Sequence, residues 1–397
     1  MSQVGKQAVP NDALREQQRA YPAFDRWLAV SALALVSLGL VMVASASVGV
    51  SERAFGEPLH YFWRQAFAVF VGISGAAVIT MIPLYYWERA SSILLLLALA
   101  LLILVIVPGV GYEVNGSMRW FRLGSVSLQA SEPAKLCVIV YVAAYLVRHS
   151  EQVRTAFVGF IKPIGVLTVI SGLLLLEPDY GATVVMFVTC LGMLFLAGVG
   201  ITRFTMWGLV ACAALLAMVI LAPYRMERLM VFMDPWADPY NAGFQLTQAL
   251  IAFGRGEWFG VGLGASVQKL FYLPEVHTDF IFAVIGEELG LIGSVSVIIL
   301  FAFIVFRALQ IGANAENQER YFEAYLAYGL GFLIGIQAFV NIGVNMGVLP
   351  TKGLTLPLVS YGSNSIIISC FIVGVLLRIG LETADCSRPS VKSSRLA

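Results

Sequence analysis

The chain has 397 residues, 59% of them hydrophobic and 12% charged, with a formal net charge of +1 at neutral pH. Soluble domains carry about 25% charged residues, so most of this chain has lipid as its solvent. The near-neutral balance excludes a nucleic-acid partner, and the five cysteines, none in an expected external loop, indicate no disulfide framework.

Residues 1–20 are polar and aperiodic and read as a disordered tail. Ten apolar runs follow, at about 27–48, 64–82, 91–108, 132–147, 163–176, 181–199, 204–222, 280–306, 323–343 and 361–379. Each is close to the roughly 20 residues a spanning helix needs, and bare backbone in hydrocarbon forces such runs to be helical. Short strict alternation, the signature of a barrel, is absent. The expected fold is therefore an all-α integral membrane protein with ten transmembrane helices. The first run ends in "ASAS", 44–47, like a signal-peptide cleavage site, but it is too long for a signal core. Fifteen Lys and Arg residues lie in the termini and the short loops on their side, against five (Arg53, Arg64, Arg119, Arg122 and Lys352) in the opposing short loops. That asymmetry predicts both termini in the cytoplasm and a large external loop at 223–279, between spans seven and eight. The membrane domain is bounded at 21–380, with 381–397 as a cytoplasmic tail.

Motifs fall at the ends of these runs. "NGSMRW", 115–120, is an external Gly- and Ser-containing loop carrying Arg119. Backbone N–H groups plus a cation suit a phosphate or pyrophosphate; ordinary turn chemistry is the alternative. In "LQASEPAKL", 128–136, Ser131 is placed as an N-cap with Pro133 in the first turn. Glu132 and Lys135 then share a helix face and read as a buried structural ion pair. "LEPDYGATVV", 176–185, is a short turn whose Glu177 and Asp179 cap a helix or bind a cation. The loop at 223–279 is rich in Gly, Pro and aromatics, and "NAGFQLTQALIAFGRGE" within it predicts a short amphipathic helix at the membrane surface. "GVGLG", 260–264, has the wrong spacing for a dinucleotide fingerprint.

"PEVHTDFIFAVIGEELG", 274–290, carries the densest chemistry. Asp279 stands where the long loop enters the eighth span. A carboxylate there can face water and still lie beside low-dielectric protein, the setting of a general base; a helix N-cap is the equal alternative. His277 and Thr278 are placed to orient it. Glu287 and Glu288 lie roughly 12–13 Å deeper at 1.5 Å per residue, and at least one of them requires a basic or amide partner. "PTKGLTLPLVSYGSNS", 350–365, is a second Gly- and Ser-rich loop, with Lys352 and Ser360 as candidates for contact with substrate. No His/Cys cluster has metal spacing.

Together these stretches resemble the SEDS family (shape, elongation, division and sporulation) of polytopic peptidoglycan glycosyltransferases. The similarity covers essentially residues 21–380, with five motifs in the family's order: "NGSMRW", "SEPAK", "EPDYGATVV", "LPEVHTDFIFAVIGEELG" and "NIGVNMGVLPTKGLTLPLVSYG". "PTKGLTLP" is similar to the division branch rather than the rod-elongation branch. The resemblance implies ten spans, a catalytic aspartate at Asp279 and a paired Glu132 and Lys135. It implies polymerisation of lipid II with release of undecaprenyl diphosphate; by charge and side of the membrane, Arg119, Lys352, Lys269 and Arg255 are the candidate cations to offset the charge of that leaving group. It also implies a class B penicillin-binding transpeptidase and other divisome proteins as partners, and the septal inner membrane of a bacterium as the location. No nucleotide is needed; a divalent cation is the one cofactor left open. Ala130 and Pro133 depart from the family pattern, as do Ser363 and Asn364, for which a modified turn is expected. A lipid II flippase and a silent divisome scaffold remain the alternatives.

Overall fold

The computed structural model describes residues 24–114, 117–124, 126–220, 226, 230, 232–241, 243–269, 276–350 and 353–386. Ten helices of 17 or more residues lie among them, one on each apolar run. They are α1 (Arg26–Phe55), α2 (His60–Ile79), α3 (Leu84–Ile106), α4 (Ser131–Arg148), α6 (Phe157–Leu176), α7 (Tyr180–Leu196), α8 (Ile201–Ile220), α10 (Ile281–Glu316), α11 (Tyr321–Asn345) and α12 (Ser363–Cys386). Two shorter helices are α5 (Ser150–Thr155) and α9 (Phe244–Gly256). Seven of the long helices are long and apolar enough to cross a bilayer, and α7 is a shorter apolar helix. The chain is a multi-pass membrane protein. Phe67, Phe70, Ile93 and Leu96, each about two-thirds exposed, make the outward faces of α2 and α3 lipid-like.

The all-α expectation needs one correction. Residues read as an irregular loop between the third and fourth spans form a three-stranded antiparallel sheet: β1 (Gly111–Val114), β2 (Ser117–Leu123) and β3 (Val126–Gln129). Tyr112 pairs with Trp120 and Phe121 with Leu128, aromatic and branched neighbours that stabilise strand pairing. The Arg122 guanidinium sits 5.3 Å from the Tyr112 ring centroid.

Helix starts differ from the expectation by single residues. Ala130, not Ser131, is the N-cap of α4, and the Ser131 hydroxyl instead donates to Asp179 Oδ2 at 3.1 Å. Asp179 is itself the N-cap of α7, accepting from the Ala182 N–H at 3.1 Å. Phe280, not Asp279, is the N-cap of α10. Asn364 does not make an unusual turn. It lies in the first turn of α12 and donates to the Ser127 carbonyl at 2.8 Å, tying that helix to the sheet.

The most extensive packing is between α10 and α11, followed by α12 on α2 and α3 on α4. The amphipathic helix expected in the long loop is α9, and its apolar face (Leu246, Ala249, Ala252) packs on α10. Helix α10 spans 36 residues but breaks at Gly290, where φ is 66° and ψ −162°. A Cβ there would lie 2.3 Å from the Gly260 nitrogen, so only glycine fits both the angle and the space. The break strands backbone groups, which in an apolar setting costs several kcal/mol each. Residues 257–262 satisfy them: the N–H groups of Val261 and Gly262 donate to the carbonyls of Glu287 and Glu288, and those of Leu291 and Ile292 donate to Glu257 and Trp258.

Candidate functional site

Asp279 lies two residues before the first residue of α10, at the mouth of the bundle. Its backbone is fixed from α11. The Nδ2 groups of Asn341 and Asn345 both donate to the Asp279 carbonyl, at 3.0 and 2.9 Å. Asn345 Oδ1 accepts from the Ala283 N–H at 3.1 Å, one of the first-turn donors that a helix leaves unpaired. The N-cap position of α10 itself is Phe280, one residue after Asp279.

Across from it runs the loop 353–362. Gly353 faces the carboxylate: a Cβ there would lie 3.0 Å from Asp279 Oδ2. The loop is held from four sides. Asn341 Nδ2 donates to the Leu354 carbonyl at 2.5 Å and Gln337 Nε2 to the Thr355 carbonyl at 3.1 Å. The Thr355 and Ser365 hydroxyls lie 2.8 Å apart, and Gln65 Nε2 donates to the Ser360 carbonyl at 3.0 Å. Leu354 also packs where a Gly181 side chain would be, so the turn before α7 abuts the same loop. Ser360, expected to contact substrate, is buried, and its Oγ accepts from the Leu356 N–H at 2.8 Å. Its hydroxyl closes a turn within the loop. His277, expected to orient Asp279, is buried between aromatic rings. Its centroid lies 4.7 Å from that of Tyr61 and 5.3 Å from that of Tyr361, and its carbonyl accepts from the Tyr361 N–H at 2.9 Å.

Glu132 and Lys135 pair at 2.9 Å, and the Lys135 ammonium also donates to Gln337 Oε1 at 2.8 Å. Both are buried. Glu287 and Glu288 each have a cationic partner: Arg255 at 3.2 Å from Glu287, and Lys269 at 3.0 Å from Glu288. Glu287 further accepts from the Ser266 hydroxyl and the Val267 N–H, and Glu288 from the Ser45 hydroxyl at 2.7 Å. Arg255 and Lys269, expected as pyrophosphate cations, are thus held on carboxylates. Arg119 is likewise engaged, donating to the carbonyls of Glu177 at 2.9 Å and Pro178 at 2.6 Å. Lys352 lies outside the described residues, next to Gly353.

Sequence reasoning missed the amide row Gln337, Asn341 and Asn345. Their spacing of four places them on one face of α11, and three amides in an apolar run were the available signal. The sequence pairs Asp179, as a helix cap or cation ligand, with Glu177. That side chain is fully buried, and neither carboxylate oxygen has a hydrogen-bond partner among the described residues. Burial first, then the nearby Asp179 charge, push its carboxyl up to about 8 against the opposing pull of Arg119.

A polytopic helical protein whose polar residues converge on one aspartate at the end of a span defines the class. The sequence profile of the FtsW/RodA/SpoVE family, described as cell cycle protein, matches residues 26–385, and the chain belongs to that family. A protein of Nitrosococcus halophilus named "Probable peptidoglycan glycosyltransferase FtsW" is 55% identical over 373 residues, covering 94% of this chain and 96% of its own length. One of Coxiella burnetii with the same name is 50% identical, covering 91% and 98%. Among solved structures, a chain of a peptidoglycan synthase complex that coordinates polymerization and crosslinking superposes with a TM-score of 0.74 at 28% identity, covering 91% of this chain and 99% of its own. The Rod shape determining protein RodA of Thermus thermophilus superposes at 0.67 and 27% identity, covering 91% and 97%.

Proposed function

We propose that the chain is a peptidoglycan glycosyltransferase that polymerises lipid II into glycan strands at the division septum, with Asp279 as general base. The observation that carries the assignment to this residue is the fixed backbone of Asp279 opposite Gly353, with 3.0 Å between Oδ2 and the place a side chain would occupy. Any side chain at 353 would crowd the carboxylate, so glycine keeps that side of Oδ2 unobstructed. Asp279 takes the proton from the 4-hydroxyl of the acceptor GlcNAc. The oxygen attacks the anomeric carbon of the lipid-linked MurNAc with inversion, and undecaprenyl diphosphate leaves with the bonding electrons. The energy is already in the glycosyl–pyrophosphate bond, so no nucleotide takes part. With Arg119, Lys269 and Arg255 engaged by protein groups, Lys352, one residue from Gly353, is the cation we assign to the leaving pyrophosphate.

In this reading ten helices span the membrane, with both termini cytoplasmic and the loop between α8 and α10 external. The Lys and Arg distribution supports it. Residues 21–380 form the membrane domain, and the flanking segments are tails. A class B penicillin-binding transpeptidase is the expected partner alongside other divisome proteins. The likeness to a chain from a synthase complex supports a partner of that kind.

Purified protein incubated with labelled lipid II, with and without the transpeptidase, tests the reading. Glycan strands made by the parent and absent with Asp279→Asn are the expected result. Translocation of lipid II in proteoliposomes with no polymer formed by the parent would overturn it in favour of a flippase.

A further inference from the structure

We propose that Asn341 is a positioning residue for Asp279, setting the separation between the carboxylate and the backbone of Gly353. The inference rests on Asp279 as base. A single Nδ2 group supplies two N–H donors, and Asn341 gives one to Asp279 O at 3.0 Å and the other to Leu354 O at 2.5 Å. These carbonyls belong to two different segments, the entry to α10 and the loop after α11. No helix or sheet ladder joins them among the described residues. One backbone bond joins the two segments further along, from the Tyr361 N–H to the His277 carbonyl at 2.9 Å; beside Asp279 and Gly353 the Asn341 amide is the clamp.

The clamp is itself held. Asn341 is 2% exposed, and Asn345 one turn on is fully buried. Asn345 Nδ2 donates to the Asn341 carbonyl at 2.9 Å as well as to Asp279. One turn back, Gln337 joins Thr355 to Lys135, and Lys135 joins Glu132. The row therefore runs from a buried ion pair on α4 to the base. Through it the intramembrane pair orients Gln337, so that the loop carrying Gly353 stays at a fixed distance from Asp279. An amide suits position 341 because two carbonyls converge on it. A carboxylate there would present lone pairs to both, and an apolar side chain would leave the Leu354 carbonyl without this donor and the Asp279 carbonyl with Asn345 alone.

Displacing a reacting group by about 1 Å costs on the order of 10²-fold in rate. Asn341→Leu, which keeps the branching and the number of heavy atoms and removes both donors, is expected to lower kcat for glycan polymerisation by about 10–100-fold. KM is expected to change less than about threefold, since the change falls on the base and not on the bulk of the substrate. Asn341→Ser, which retains one donor, is expected to fall between this and the parent, and it stands in if the leucine variant does not fold. Position is read separately by disulfide trapping. In an Asp279→Cys, Gly353→Cys chain, mild oxidation should close a bond detectable by mass spectrometry, and Asn341→Leu or Asn341→Ser in that background should slow closure by about tenfold. Parental kcat in the single variants, or a lowered kcat with trapping at the parental rate, overturns the proposal. Full activity in Asp279→Asn would instead sink the base assignment, while the trapping rate still reports whether Asn341 sets the distance.

Discussion

At the scale of single residues, two carboxyl groups lead opposite lives. Asp279 is partly buried, and the amides of Asn341 and Asn345 fix its backbone carbonyl. Asp279→Asn should therefore leave folding untouched and lower polymerisation by about 10²–10⁴-fold, the usual worth of a general base. Because Phe280 is the N-cap, Asp279→Ala should be as stable as Asp279→Asn in a thermal melt. A cap would have made alanine measurably worse. Glu177 is buried without a partner and titrates near 8 rather than at its ordinary 4.5. The folded form thus holds a proton that the unfolded chain releases, so stability is greatest below about 4.5 and declines as pH rises to about 8. Glu177→Gln should flatten that decline: thermal stability in detergent should match the parent at pH 4.5 and exceed it at pH 8. The pairing of Glu132 with Lys135 was legible from residue type and position in an apolar run. The engagement of Arg255 and Lys269 was not, because the carboxylates that hold them lie about 20–30 residues further along the chain, and only the fold back onto α10 brings them together.

At the scale of elements, the breaks and pairings matter more than the helices. Period and apolarity revealed all ten long helices, since lipid leaves the backbone few alternatives. The sheet at 111–129 went unread although Asn115-Gly116 between runs of aromatic and branched residues is a hairpin signal. The strands are only four to seven residues long and sit among much stronger apolar patterns. The α4 ion pair offers a direct test of element pairing. Glu132→Ala or Lys135→Ala alone leaves a buried charge, at about 3–5 kcal/mol. Replacing both with neutral hydrogen-bonding residues should restore much of the stability. Independent, additive losses in chemical unfolding would show that the pair is not coupled. In α10, Gly290→Ala meets both a forbidden φ and the Gly260 backbone. Its melting temperature should fall well below that of a control at an exposed glycine such as Gly172, which has open space around it.

At the scale of the whole molecule, the described helices carry two polar assemblies, a row on α11 and a segment that folds back onto α10. The topology proposed from charge asymmetry has a simple check. Tyr240 is 85% exposed, so Tyr240→Cys should react with an impermeant thiol reagent in intact spheroplasts, while native Cys386 should stay unlabelled. The reverse pattern would invert the molecule. The two polar assemblies differ in one further respect, the order in which a ribosome makes them. Residues 257–262 emerge before the break at Gly290, so the bared carbonyls of Glu287 and Glu288 find their donors already synthesised. The amides that fix Asp279 emerge 62 and 66 residues after it. A nascent chain that has inserted α10 but not α11 carries its aspartate with no fixed place and no facing loop. Competence to polymerise therefore arrives late in translation, and a stalled or truncated product is inert before it can extend a strand.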